Sequence, residues 1–119
     1  MELILMIFCH LIDDYILQGW LASAKQKTWW EKNAPKELYK NDYKVALIEH
    51  AFMNATMIHI PVYLFLSKDL PVLIVTFLYV LVTHALIDHE KANKLSINLV
   101  TDQVLHILII LHIYLMYIV

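Results

Sequence analysis

Imidazole and carboxylate groups recur four residues apart in three apolar stretches of this chain. "HLIDDYILQ" carries His10, Asp14 and Gln18, "HALIDHEK" carries His84 and Asp88, and "TDQVLHIL" carries Asp102 and His106 in the reverse order. On an α-helix, residues i and i+4 share a face, about 6 Å apart along the axis. Each pair is thus a preformed two-ligand unit. His50, in a fourth apolar stretch, adds a seventh group. Nitrogen and oxygen donors of this kind suit a divalent metal, with zinc expected first and manganese or iron as alternatives. Seven groups exceed what one tetrahedral ion can use, so one or two ions are expected. Haem is not, because three aspartates beside the histidines suit a hydrated cation better than a porphyrin edge.

A bare aspartate deep in a bilayer costs at least ~2.5–3.5 kcal/mol on insertion scales. Coordination of a cation offsets that cost, and a metal with an open position can activate water as a nucleophile near neutral pH. In such a site His10, Asp14, His50, His84, Asp88, Asp102 and His106 are the expected metal ligands. The expected catalytic residues are His50, as ligand or general base, and Lys91, three residues past Asp88 and placed to meet a phosphate. Gln18, Asn54 and Gln103 continue or flank these stripes and are expected to orient ligands or contact substrate through their amides. The plainer reading of the same pairs is a helix-to-helix hydrogen-bond network, with Asp102 as a first-turn acid favoured by the helix dipole. Asp13 breaks the four-residue step and competes with Asp14 as a ligand. His59 and His112 fall off the stripes, and His89 and Glu90 read as solvated interface residues. Cys9, the only cysteine, forms no disulfide within the chain and reads as a small packing residue.

The elements that must position these groups are read from composition. The chain has 119 residues, enough for one domain over 1–119, and 61% of them are hydrophobic. A soluble domain of this size has too little interior to bury so much apolar side chain. A single glycine leaves no phosphate-cradling loop. All nine basic residues are lysines and form no dense run, so no nucleic-acid partner is expected. A bilayer core of ~30 Å needs ~20 apolar residues in a helix. Four stretches approach that, over about 3–20, 45–66, 72–88 and 99–119. The expected fold is all-α, an integral membrane bundle of four transmembrane helices with the hydrophilic connection 21–44. Pro61 is expected to kink the second span, Ser67 or Asp69 to cap the third, and Trp29 and Trp30 to sit at headgroup level. The start of the chain lacks a basic region and a cleavage site, and reads as a retained span.

Alternating spans bring all the ionisable groups to one depth. The same end gathers Lys25, Lys27, Lys32, Lys36, Lys40, Lys44, Lys91 and Lys94, against Lys68 alone at the other. By the positive-inside rule that end is cytoplasmic, both termini lie outside, and the site opens to the cytoplasm of an inner-membrane, multi-pass protein.

Taken together, "HLIDDYILQGW", "IEHAFMNA", "HALIDHEKA" and "TDQVLHILI" resemble a family of small bacterial and phage membrane proteins of unknown function. Its pattern is HxxxDxxLQxxW, a lone His, HxxIDxxK and DQxxH; "LQGW" is one residue shorter here, which affects the equivalence of Trp20. The resemblance implies that His10, Asp14, Gln18, His50, His84, Asp88, Lys91, Asp102, Gln103 and His106 are the family's polar positions. It implies no activity. The ligand set itself points to a metal-dependent hydrolase acting on a phosphoester, a nucleotide-type molecule or a lipid headgroup. The alternative is a non-enzymatic protein that handles metal or protons, or modulates a host membrane complex. The expected partners are the lipid bilayer, further copies of the chain and a host membrane protein.

Overall fold

A computed structural model describes residues 1–67 and 69–119. Lys68, the one lysine assigned above to the opposite end, lies outside the described residues. Among those described there are six α-helices and no strand. Helix α1 (Glu2–Ile12) runs on as a π-helical turn, Asp13–Leu17. Short helices α2 (Leu21–Ala24) and α3 (Lys27–Asn33) and a 3-10 turn (Glu37–Tyr39) make up the connection. Helix α4 (Asp42–Pro61) continues as a second π-helical turn, Val62–Leu66, and is followed by α5 (Leu70–Ala92) and α6 (Leu99–Ile118).

Local chemistry fixes the boundaries. Gly19 has φ +51°, a left-handed conformation that an L side chain adopts only with strain, and it turns the chain out of the first helix. Asp69 caps α5 by accepting from the Val72 amide at 3.3 Å, with Pro71 in the first turn. Asn98 caps α6 by accepting from the Thr101 amide at 2.9 Å. Pro61 has no N–H to give the Met57 carbonyl, and the helix goes on through wider i→i+5 bonding, with Ser67 N donating to Val62 O at 3.0 Å. The expected kink is therefore realised as a widened turn.

The helices α1, α4, α5 and α6 close a ring in which each packs on its two neighbours. Its core has two halves. Met6, Ala55, Ile58, Val62, Val80, Ile110 and Ile113 fill one with apolar side chains. The other half, next to α2 and α3, holds buried imidazoles and carboxylates. The outside is apolar as well, with Phe8, Ile48, Phe52, Val75, Leu86 and Leu108 among many exposed large hydrophobic residues. Such a continuous apolar exterior fits lipid and not water. Three stretches are long and apolar enough to cross a membrane: Glu37–Leu66, Leu70–Ala92 and Leu99–Ile118. The first helix falls short. Its 11 α-helical and five π-helical residues reach at most about 24 Å at 1.5 Å per residue.

Candidate metal centre

Four helices each deliver polar side chains to the same buried volume. From α1 and its π-helical turn come His10, Asp13 and Asp14, and from α4 come His50 and Asn54. Helix α5 adds His84 and Asp88, and α6 adds Asp102 and His106. All nine are buried. The i,i+4 pairs face one another as their spacing requires: His10 Nε2 lies 3.5 Å from Asp14 Oδ2, His84 Nε2 3.6 Å from Asp88 Oδ1, and His106 Nε2 3.5 Å from Asp102 Oδ1.

The tightest convergence lies between helices. His50 Nε2 is 3.1 Å from His84 Nε2, 3.2 Å from Asp14 Oδ1 and 3.4 Å from Asp88 Oδ2. His84 Nε2 is 3.7 Å from the same Asp14 oxygen. Zinc–nitrogen and zinc–oxygen bonds of about 2.0–2.2 Å, arranged tetrahedrally, place neighbouring ligand atoms roughly 3.3–3.6 Å apart. His50 Nε2, His84 Nε2 and Asp14 Oδ1 thus already stand at separations close to those of a coordination shell, with Asp88 Oδ2 beside His50. A second set, Asp14, Asp102 and His106, also brings its donor atoms within 4.8 Å of one another. His106 Nε2 is 3.2 Å from Asp88 Oδ1, so Asp14 and Asp88 each lie against donors of both sets.

Amides hold the carboxylates in place. Asn54 Nδ2 donates to Asp13 Oδ2 at 3.0 Å and to Asp14 Oδ1 at 3.3 Å. With its amide nitrogen so engaged, Asn54 Oδ1 accepts from His10 Nδ1 at 3.2 Å. Gln103 Nε2 donates to Asp14 Oδ2 at 3.1 Å and to Asp102 Oδ2 at 3.0 Å, and its Oε1 faces His10 Nε2 at 3.3 Å. Gln18 Nε2 donates to the Asp14 carbonyl, and Gln18 Oε1 is buried without a hydrogen-bond partner.

Electrostatics demand a counter-charge. Four buried aspartates face two lysines: Lys25 Nζ lies 2.6 Å from Asp88 Oδ2, and Lys91 Nζ lies 3.1 Å from Asp102 Oδ2. Buried charges persist only when paired or coordinated. Protons on the imidazoles or carboxylates, or a bound cation, make up the difference.

Every ligand expected from the sequence is brought into this cluster. Lys91 stands at its edge, on an aspartate, and borders an open pocket. Asp13 and Asp14 are both buried in this interior. The π-helical turn begins at Asp13, and its wider bonding, with Gln18 N donating to Asp13 O at 2.9 Å, seats consecutive carboxylates in one interior. Asp13 Oδ2 lies 3.7 Å from His50 Nδ1, on the side of that ring away from the other ligands. Lys25 is the residue that spacing could not reveal. It reaches Asp88, 63 positions away, because Gly19 folds the chain back over the bundle. His59 and His112 lie elsewhere. His59 bonds the Ala55 carbonyl at 2.8 Å and Thr76 Oγ1 at 3.1 Å, and His112 bonds Tyr79 at 3.1 Å. Glu90 pairs with Lys94.

The lysine-bearing segments meet at this end of the bundle. Asn93 Oδ1 accepts from the Lys27 amide at 2.7 Å, and Asn93 Nδ2 donates to the Lys25 carbonyl at 3.0 Å. A pocket of about 380 Å³ opens there, lined by Gln18, Lys25, Gln26 and Lys91, with Asp88 reaching its wall.

The profile of DUF3307, a protein family of unknown function, matches residues 3–119, which is nearly the whole chain. No curated protein and no solved structure matches.

Proposed function

We propose that this chain, which belongs to the DUF3307 family, is a membrane-embedded metal-binding protein and a metal-dependent hydrolase. The expected substrate is a phosphoester, of nucleotide or lipid-headgroup type, entering from the lysine-rich end. One observation carries the reading: His50, His84 and Asp14, from three different helices, hold their donor atoms at separations close to those of a coordination shell inside a buried volume, with Asp88 beside His50.

In this proposal His50, His84, Asp14 and Asp88 hold the first ion. Asp14, Asp102 and His106 provide for a second, with His10 beside Asp14. Zinc is the first choice for this donor set, and manganese or iron the next. A bound ion supplies Lewis-acid polarisation and an acidified water. The chain does the rest. Asn54 and Gln103 fix the carboxylate oxygens, and Asp13 stands behind His50 as a carboxylate behind a ligating imidazole. Lys91 offers its ammonium to the charge that develops on a phosphoryl group. The apolar exterior faces lipid, and the pocket beside Asp88 gives access from the lysine-rich end.

Topology belongs to the same proposal. If α1 crosses with a locally thinned bilayer or with help from its neighbours, the bundle has four spans. Both termini then lie outside, and the pocket opens to the cytoplasm. Single cysteines placed at each terminus of a Cys9-free chain and labelled from outside intact cells test this. Labelling of only one terminus excludes four spans.

The chain of alternating acids and imidazoles, Asp13–His50–Asp88–His106–Asp102, also favours a second reading, a non-enzymatic protein that handles metal or protons. Turnover separates the two. Zinc-loaded protein in detergent is given bis(p-nitrophenyl) phosphate, a nucleotide and phosphatidic acid. The hydrolase reading expects zinc-dependent product that is absent from Asp88→Asn and His84→Ala. Stoichiometric zinc with no product above background leaves the second reading.

A further inference from the structure

The pocket beside Asp88 has a feature that metal ligation alone does not use. Lys25 and Lys91 both reach into its lining, from α2's end and from α5, although each is already engaged by an aspartate. An ammonium has three donors, and each of these lysines spends one on its carboxylate. Neither waves freely: Lys25's side chain is only 13% exposed and Lys91's 36%. Gln18 adds a buried acceptor, Oε1, that has no partner in the fold. Two cationic donors and one acceptor, in a pocket walled by Asp88 of the metal-type cluster, match a phosphate that keeps one P–OH to donate to Gln18.

Charge dictates the order of events. Asp88 and Asp102 neutralise the two lysines, and Asp13 and Asp14 are offset only by protons on the surrounding imidazoles. Without a metal the pocket therefore has no surplus positive charge to hold an anion. A divalent cation among Asp14, Asp88 and the imidazoles adds that charge, and the remaining lysine donors then face a site that welcomes an anion. We infer that this pocket is a phosphate-anion subsite, with Lys25, Lys91 and Gln18 as its contacts, which fills only after the cation has bound. The inference rests on the metal-binding reading above. Because coupling between two ligands is reciprocal, the anion must tighten the cation by the same factor that the cation tightens the anion.

The rim bears on where the phosphate comes from. Leu95 borders the pocket, is 80% exposed, and holds its backbone at φ +55°. An apolar side chain held out at the mouth of a polar pocket fits a lipid-borne phosphate, and a soluble ester shares the same chemistry.

The test uses the full chain in detergent, zinc, and methylphosphonate as a phosphate ester stand-in that does not turn over. Calorimetry is expected to show methylphosphonate binding to zinc-loaded protein at least about fivefold more tightly than to zinc-free protein. Zinc affinity should rise by the same factor in its presence. Lys25→Gln and Lys91→Gln should each weaken methylphosphonate about fivefold or more while zinc content stays at the wild-type level. That zinc content also reports that the variants fold. Bound zinc with methylphosphonate binding that ignores zinc, or ignores both lysines, overturns the subsite and leaves the metal reading standing. Failure to bind zinc overturns both. Nanodiscs doped with phosphatidic acid, compared with phosphatidylcholine alone, assign the source: competition with methylphosphonate marks a lipid phosphate, and its absence a soluble one.

Discussion

Replacement of Asp13 by Asn separates a metal centre from a structural polar network. Asp13 is almost fully buried, accepts from Asn54, and has its Oδ1 unpartnered. Its Oδ2 stands 3.7 Å from His50 Nδ1. The substitution keeps volume and an acceptor oxygen but removes the negative charge behind His50. Loss of a partner behind a metal-bound imidazole typically weakens the metal 10–100-fold. A separation of 3.7 Å is beyond a direct hydrogen bond, so the lower figure applies, about tenfold or ~1.4 kcal/mol. Zinc-free protein should respond in the other direction. It loses one of four clustered buried negative charges, and removing a poorly compensated buried charge is neutral or stabilising. Competition against a chromophoric chelator measures the first effect, and thermal unfolding in detergent with excess chelator measures the second. The account expects weaker zinc at unchanged stoichiometry and an unfolding temperature no lower than wild type. Unchanged zinc affinity together with a less stable zinc-free protein would show that Asp13 serves the fold alone, and the argument from His50 outward would fail.

Other expectations follow from the same geometry. Zinc must displace any proton held on its imidazole and carboxylate ligands, so its affinity is expected to fall on acidification, read by the same competition at each pH. Gly19→Ala puts a side chain on a residue at φ +51°. The new Cβ meets nothing closer than the Leu17 carbonyl at 3.8 Å, so the cost is backbone strain of about 1–2 kcal/mol, seen as lower thermal stability. His59→Ala leaves Thr76, which also bonds Tyr117, without its imidazole neighbour in the other half of the core. It should cost about 1–3 kcal/mol in stability and leave zinc binding at the wild-type level.

Much of this arrangement is legible in the sequence, for reasons that are local. An i,i+4 step fixes a common helix face whatever the tertiary structure, so His10 with Asp14, His84 with Asp88, and Asp102 with His106 pair as their spacing says. Their common depth follows from counting apolar residues between turns. The misses are those that depend on departures from ideal helix or on distant chain. Asp13 is discounted by a strict four-residue step, although i+3 also lies near that face, and the π-helical turn then brings both carboxylates inward. Lys25 carries no local signal at all, since its contact with Asp88 is made by the fold of the connection. That connection, read as an irregular hydrophilic stretch over 21–44, contains two short helices packed toward α4. The first helix stops at Leu17 where hydropathy alone ran to Trp20, because Gly19 turns the chain before the apolar run ends. Asn54 and Gln103 were legible as neighbours of ligands. Their place as double donors that organise three aspartates between them appears only in three dimensions.

The central claim is that imidazoles and carboxylates from separate helices meet around a cation. Anomalous diffraction at the zinc edge, on crystals of protein reconstituted with zinc, addresses it directly. The account predicts a peak within bonding distance, about 2.0–2.2 Å, of His50 Nε2 and His84 Nε2 and of oxygens from Asp14 and Asp88, lost in crystals of Asp88→Asn. Fully occupied hydrogen bonds among these side chains, with no anomalous peak between them after reconstitution, would contradict it.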